Sequence, residues 1–244
     1  MKTILITGAS AGIGAATAKF FLRAGWRVGL VARRRGALEK IAADHEFAHV
    51  LPGDVTDANQ MRDVFAEFGT LAGNLDVLFN NAGMFGPSAP IDEISLADWE
   101  AVVSVNLRGM FICAREAFGL MRKQSPQGGR IINNGSLSAH NPRSGSVCYT
   151  TTKHAITGLT RSLSLDGREF DIACGQIDIG NAKTELVDDL NARALAANPD
   201  HIVLPMMDVE NAAQSVLHMA QLPPEANVQF MTVMATKMPF IGRG

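Results

Sequence analysis

A chain of 244 residues, 47% of them hydrophobic, is long enough to bury a large core within one α/β domain. A formal net charge of −2 and a pI near 6.3 give no electrostatic basis for binding nucleic acid or an anionic membrane surface. No apolar run approaches the roughly 18 residues that span a bilayer, and Cys113, Cys148 and Cys174 lack the spacing of a disulfide framework or a metal site.

Met1-Lys-Thr runs straight into an apolar strand with no leader pattern, so a cytoplasmic location is expected. Lys2–Ile6 reads as a buried parallel strand and Ala15–Phe21 as an apolar-rich helix. Between them stands Thr7-Gly8-Ala9-Ser10-Ala11-Gly12-Ile13-Gly14. Glycines there allow a tight turn and a close approach of backbone to ligand, and the helix N-terminus offers free amides and a positive dipole end to a pyrophosphate. Gly25 closes the helix, and a second strand from Trp26 ends at Ala32, followed by Arg33-Arg34-Arg35. An acidic side chain at that strand end would bond the adenosine ribose of NAD(H) and repel a 2′-phosphate. Ala32 does neither, while Arg33 and Arg34 can grip phosphate by paired charge-assisted bonds. The expected cofactor is therefore NADP(H), with NAD(H) the alternative because Ala11 leaves the glycine loop without a basic residue. Arg35 reads as a solvated corner.

A polar helix over Gly36–Ala43 leads to a short strand at His49–Leu51, and Asp57–Phe68 is helical. Leu75–Phe79 is the fourth strand and stops at Asn80-Asn81-Ala82-Gly83. Ser95 and Asp98 form a capping box opening a long helix to Lys123, which places Asn106 in a helix interior, an unfavourable position for asparagine. Strand five is Arg130–Asn133, a helix covers Val147–Leu165, strand six is Asp171–Ile177, two helical stretches break near Pro199 and Pro205, and Val228–Met234 is the last strand. Alternating strands and helices imply a doubly wound α/β sheet of parallel strands with helices on both faces, in a single domain. Ligands of such sheets bind at the carboxyl ends of the strands.

Tyr149 and Lys153 lie four apart, on one helix face, and Tyr149 is the single tyrosine of the chain. A cation beside a phenol favours the phenolate and draws its pKa toward the working range of general acid–base catalysis. A solvated helix face is the bland alternative for any one such pair. Scattered histidines without ligand spacing exclude a metal site, and the sequon Asn134-Gly135-Ser136 carries no meaning without a secretory signal.

Taken in order, Thr7-Gly-x-x-x-Gly-Ile-Gly14, Asn80-Asn-Ala-Gly83, Asn106, and Ser136 ahead of Tyr149-x-x-x-Lys153 resemble the short-chain dehydrogenase/reductase family across essentially the whole chain. The resemblance implies a seven-stranded parallel Rossmann sheet and a nicotinamide-dependent interconversion of a carbonyl and an alcohol. It makes Tyr149 the general acid/base, Lys153 the group that lowers its pKa and bonds the nicotinamide ribose, Ser136 the holder of the substrate oxygen, and Asn106 the anchor of a relay water. Gly8, Ser10, Gly12, Ile13 and Gly14 would cradle the pyrophosphate, Asp54 would bond the adenine amino group with Val55 along the ring, and Asn81, Ala82 and Gly83 would run along the adenine-ribose side. For Asp54 a turn capped by aspartate is the alternative. Relatives usually carry Pro-Gly-x-Val-x-Thr after strand six; this chain has Ile179 for that proline and keeps Thr184, so nicotinamide contacts from Ile179 and Thr184 are expected on an altered backbone. Residues 184–206 occupy the place of a substrate lid, and Met206-Met207 lie in or beside it. Family members usually associate through the long helix and the Tyr149 helix, so a homo-oligomer, a tetramer, acting on a small carbonyl or alcohol is expected. The competing reading within enzymes is a 3-oxoacyl carrier-protein reductase. A non-catalytic dinucleotide sensor has no need of Asn106, Ser136, Tyr149 and Lys153 together.

Overall fold

The computed structural model describes residues 1–184, 187–188, 191–192, 195–196 and 203–241. Strands β1 (Thr3–Thr7), β2 (Arg27–Ala32), β3 (Ala48–Pro52), β4 (Val77–Asn80), β5 (Gly129–Asn134), β6 (Ile172–Gly180) and β7 (Phe230–Met234) form one parallel sheet in the order β3-β2-β1-β4-β5-β6-β7. The helices are α1 (Gly12–Arg23), α2 (Arg35–Ala42), α3 (Ala58–Ala72), α4 (Leu96–Val103), α5 (Met110–Lys123), α6 (Val147–Asp166) and α7 (Val209–Gln221). The order reverses beside β1, between β1 and β4, and ligand crevices of doubly wound sheets open at such a switch point.

Alternation along the strands builds two cores. Ile4 and Ile6 of β1 join Phe21, Leu30, Phe79 and Val216 under α1 and α7, whereas Leu5 points the other way to Phe65, Phe68, Cys113 and Ile131 under α3 and α5. Buried on both faces, the strands need no polar alternation, which is why they read as apolar runs. The caps agree with local chemistry. Asp57 accepts from the amides of Asn59 and Gln60, Ser95 accepts from Asp98, and α1 and α3 are followed by Gly25 and Gly73 with φ of 77° and 82°.

The expected helix from Ser95 to Lys123 is interrupted. Ser104–Gly109 forms a π-turn between α4 and α5. Asn106 there is fully buried and spends its amide on Met84, accepting from Met84 N at 2.8 Å and donating to Met84 O at 2.8 Å. Gly109 faces Val55, whose Cγ2 would lie 2.9 Å from an added Cβ. A widened turn accommodates a polar side chain that bonds outside its own helix. Strand β6 also runs past Ile177. Ile179, unlike a proline, has an N–H, and it pairs with Val233 of β7, carrying the strand to Gly180. Of the two helical stretches expected over 185–221, the second is α7; most of the first lies outside the described residues.

At the switch point the ends of β1, β4 and β5 are tied together. Thr7 Oγ1 accepts from the amides of Asn81 (2.8 Å) and Ala82 (3.0 Å), and Asn81 donates to Thr7 O (2.9 Å) and accepts from Asn134 (2.8 Å). Thr7→Val preserves shape but strands two amides. It should cost about 1–3 kcal/mol and lower the melting temperature by roughly 2–12 °C, whereas Thr70→Val on the exposed face of α3 should change it little; thermal unfolding followed by circular dichroism checks both.

Candidate active site

The glycine loop forms one end of a site along the carboxyl edge of the sheet. Gly8 and Gly12 have φ of +68° and +54°, and a Cβ on Gly14 would lie 2.3 Å from Gly8 O, so this turn packs only as glycine. Helix α1 starts at Gly12 behind an extended Ala11, and no side chain caps it. Its first amides therefore face outward with the positive end of the helix dipole. Ser10 lies above this turn and accepts from Arg34 Nη2 at 3.2 Å. Arg33 is exposed beside it, and Arg35 turns away to Glu39 at 3.7 Å. Thr184 comes back from the far end of β6 to the same loop; its Cγ2 would be 3.5 Å from a Cβ on Gly12. Ile13 packs on the core beneath. A concave, uncapped, glycine-lined turn with a guanidinium over it fits the diphosphate and ribose-phosphate of a dinucleotide.

The flanking residues divide their work. Asp54 takes the turn conformation: its Oδ1 accepts from both Thr56 N (2.9 Å) and Thr56 Oγ1 (2.8 Å). Val55 is buried against Gly109 at the π-turn. Asn81 is committed to the β1–β4–β5 tie, Ala82 lies 2.9 Å (Cα) from a Cβ on Gly8, and Gly83 is exposed next to Asn106. Asn81 thus braces the loop with its side chain, and with the Asn81 and Ala82 amides spent on Thr7 the exposed backbone at Gly83 is the part of this segment open to a ligand.

The other end is polar and mostly buried. Ser136 follows β5 and is 7% exposed; it hydrogen-bonds the Tyr149 hydroxyl and also accepts from Ser138 N at 3.1 Å. Lys153 is 3% exposed, donates to Asn134 O at 2.7 Å and holds its Nζ 5.5 Å from the centre of the Tyr149 ring. Phe85 lies against that ring, with centroids 4.7 Å apart. Asn106 also donates to Thr152 Oγ1 (3.2 Å), one residue before Lys153. Ser136, Tyr149, Lys153 and Asn106 are therefore brought to one place by β5, α6 and the π-turn.

The electrostatics differ from the expectation that Lys153 draws the tyrosine down. Burial raises the Tyr149 pKa above that of a free phenol, and the bond from Ser136 and the charge of Arg143 only partly oppose it, while Asp178 pushes it further up. Lys153 itself is pushed down to about 8 by loss of solvent, with Asp178 opposing the fall. Desolvation acts on both partners in the direction of their neutral forms and is the largest influence on each.

Asp178, His140 and Asn134 belong to this centre but carried no functional signal in the sequence beyond their positions in short motifs. Asp178 is 1% exposed on β6 and Asn134 ends β5 with its Oδ1 buried and unpartnered. Ile179 sits in the core beneath, 8% exposed. The expected lid at 184–206 lies largely outside the described residues. The tail folds back: Ala235, Met238 and Phe240 pack with Met207 and Met234 on Leu137, next to Ser136. The three thiols are buried and free, those of Cys113 and Cys174 pushed up to about 12 by burial. Among the described residues no cluster is placed to hold a metal ion, and no helix is long and apolar enough to cross a membrane.

Comparison with known proteins agrees with this geometry. The family model for short chain dehydrogenase matches residues 2–195. A 3β-hydroxysteroid dehydrogenase of Mediterraneibacter gnavus is 34% identical over 78% of this chain and 70% of its own. A serine 3-dehydrogenase of Agrobacterium fabrum is 30% identical over 98% of this chain and 96% of its own. The closed form of a serine dehydrogenase complexed with NADP+ superposes with a TM-score of 0.88 at 23% identity, covering 99% of this chain and 98% of that one. With the family model spanning most of the sequence and the sheet order, glycine turn and Ser136–Tyr149–Lys153 centre all in place, this chain belongs to the short-chain dehydrogenase family.

Proposed function

We propose that the chain is an NADP(H)-dependent oxidoreductase that interconverts a carbonyl and a secondary alcohol, working as one catalytic domain with residues 184–206 as its substrate lid. The observation that carries this reading is the Ser136–Tyr149 hydrogen bond with the Lys153 ammonium beside the ring. The bound nicotinamide supplies or accepts the hydride. Every other task falls to the protein. Because burial keeps Tyr149 protonated at neutral pH, the phenol holds the proton that a carbonyl oxygen needs on reduction. Ser136 donates to that oxygen as charge develops on it. Lys153, with a pKa of about 8, is still mostly charged at neutral pH and is aimed by Asn134 toward the ribose side. Asn106 has its side chain taken up by Met84 and Thr152, so its part in a proton relay rests on its main chain in the π-turn. In the oxidative direction Tyr149 must first lose its proton, so alcohol oxidation gains from rising pH and carbonyl reduction is lost as pH climbs through the raised phenol pKa. Relatives named for serine and for a 3β-hydroxysteroid are both dehydrogenases, which supports the reaction class; a panel of ketones and alcohols read by nicotinamide absorbance identifies the substrate.

Tyr149→Phe removes one proton and little else. Turnover should fall about 10²–10⁴-fold while cofactor affinity is retained; near-parental rates on a substrate the parent turns over would remove Tyr149 from the mechanism.

The NADP(H) preference rests on Ala32 at the end of β2 and on Arg34 held over Ser10, with Arg33 alongside. Arg34→Ala should lower kcat/KM for NADPH by roughly ten- to a hundredfold, the worth of a charge-assisted bond, with little change for NADH. Ala32→Asp combined with Arg33→Gln should reverse the preference. A parental kcat/KM ratio favouring NADH would sink the assignment.

Self-association, to a tetramer, is supported by apolar side chains on the outer faces of α4, α5 and α6: Leu96 is 78% exposed, Phe111 53% and Leu165 60%. Light scattering at micromolar concentration should return a multiple of the 26.1 kDa chain mass, and Phe111→Glu should lower it.

A further inference from the structure

Asp178 is a nearly sealed carboxylate that no part of the proposed chemistry uses. Its Oδ1 accepts from Ser136 N at 2.9 Å and from Gln176 Nε2 at 2.8 Å, and its Oδ2 lies 2.8 Å from His140 Nε2. Such a donor set suits an ionised carboxylate. The fit to the β5 end is close enough to dictate the neighbouring residue: a Cβ on Gly135 would lie 1.9 Å from Asp178 Oδ1. Gln176 is itself fixed by Thr160, and Thr160 by Asn133, so the carboxylate is anchored from below by the sheet and from the solvent side by a His140 ring that is 44% exposed.

We propose that Asp178 is a positioning residue of the catalytic centre: its carboxylate, clamped by Gln176 and His140, holds the main chain at Ser136 and so aims the Ser136 hydroxyl at Tyr149. This rests on the assignment of Ser136 and Tyr149 above. The aim matters because, among the described residues, Ser136 is the side chain that acts on the Tyr149 hydroxyl by hydrogen bonding, while Arg143 and Asp178 act on it by charge and Lys153 lies by its ring. The same carboxylate adds a fixed negative charge behind the phenol, which opposes ionisation of Tyr149 and favours the charged form of Lys153.

Because Tyr149 is the single tyrosine, its ionisation can be read directly in the full-length protein from phenolate absorbance, without substrate or cofactor. A rapid pH jump records the midpoint before alkaline unfolding begins. In the parent, Ser136→Ala should raise the midpoint, since the phenolate loses a donor. In an Asp178→Ala background the same change should have less than half that effect, and in Asp178→Asn, whose Oδ1 can still accept from Ser136 N, it should have its full effect. Asp178→Asn alone should lower the midpoint by about half a unit or more through loss of the charge; if Asp178→Ala does not fold, Asp178→Leu, which keeps the volume and cannot accept from Ser136 N, takes its place in the comparison. A role in packing alone would lower the melting temperature and leave the midpoints and their coupling unmoved. Additive effects of Ser136→Ala and Asp178→Ala, or of Ser136→Ala and Asp178→Leu, overturn the proposal. Loss of the catalytic reading would show instead as undiminished turnover by Tyr149→Phe, with the titration unaffected.

Discussion

Polar side chains buried at the carboxyl edge of a parallel sheet must find partners within the protein, and that requirement organises this molecule. An unpaired buried donor or acceptor costs about 1–3 kcal/mol, and the strands that end here bring many of them. Asn80 donates to Met110 O and to Asn133; Asn133 donates to Thr160; Thr160 donates to Gln176; Gln176 donates to Asp178; and Asp178 receives the amide of Ser136. The chain of bonds crosses β4, β5, α6 and β6, so none of these elements can slide without stranding a buried group. Low local dielectric makes such a network stiff when complete and costly when broken. Ser136 and Tyr149 inherit their alignment from it.

The glycine end obeys a different constraint. There the backbone itself is the ligand surface, and what matters is the absence of side chains. Gly14 lies so near Gly8 O that no Cβ fits, and the resulting turn leaves the first amides of α1 uncapped. Thr7 and Asn81 hold that turn against β4, so the glycine end and the Ser136–Tyr149 end share a support: Asn134 bonds Asn81 with its amide and Lys153 with its carbonyl. A single asparagine at the end of β5 thereby connects the cofactor-facing turn to the lysine that lies by Tyr149.

Burial sets the charge state of the centre. With desolvation raising the phenol and lowering the ammonium, the pair at neutral pH is a protonated tyrosine beside a lysine that is still mostly charged. That arrangement suits proton donation, and of the two charges that act on the phenol Arg143 comes from the turn just before α6, whereas Asp178 comes from β6, remote in sequence.

Much of this was legible from residue order. Strand–helix alternation, apolar strands, glycine spacing and the Asp57 and Ser95 caps are local or periodic properties, and they determined the parallel sheet, the phosphate turn and the placing of Ser136, Tyr149 and Lys153 on consecutive elements. Four-residue spacing alone put Tyr149 and Lys153 on one helix face. What depends on contacts between distant segments was not legible. The π-turn at Asn106 follows from bonds to Met84, and the passage of β6 through Ile179 follows from pairing with β7. The rise of the Tyr149 pKa is not legible from spacing, which shows a cation's pull, whereas desolvation depends on how much protein closes around the pair. Asp178 and His140, 38 residues apart, meet at 2.8 Å only once β5 and β6 lie side by side. Sequence determined which groups the site contains, because periodicity and turn chemistry act between near neighbours; tertiary structure alone decided how those groups are charged and aimed, because burial and long-range hydrogen bonds exist only after the sheet has assembled.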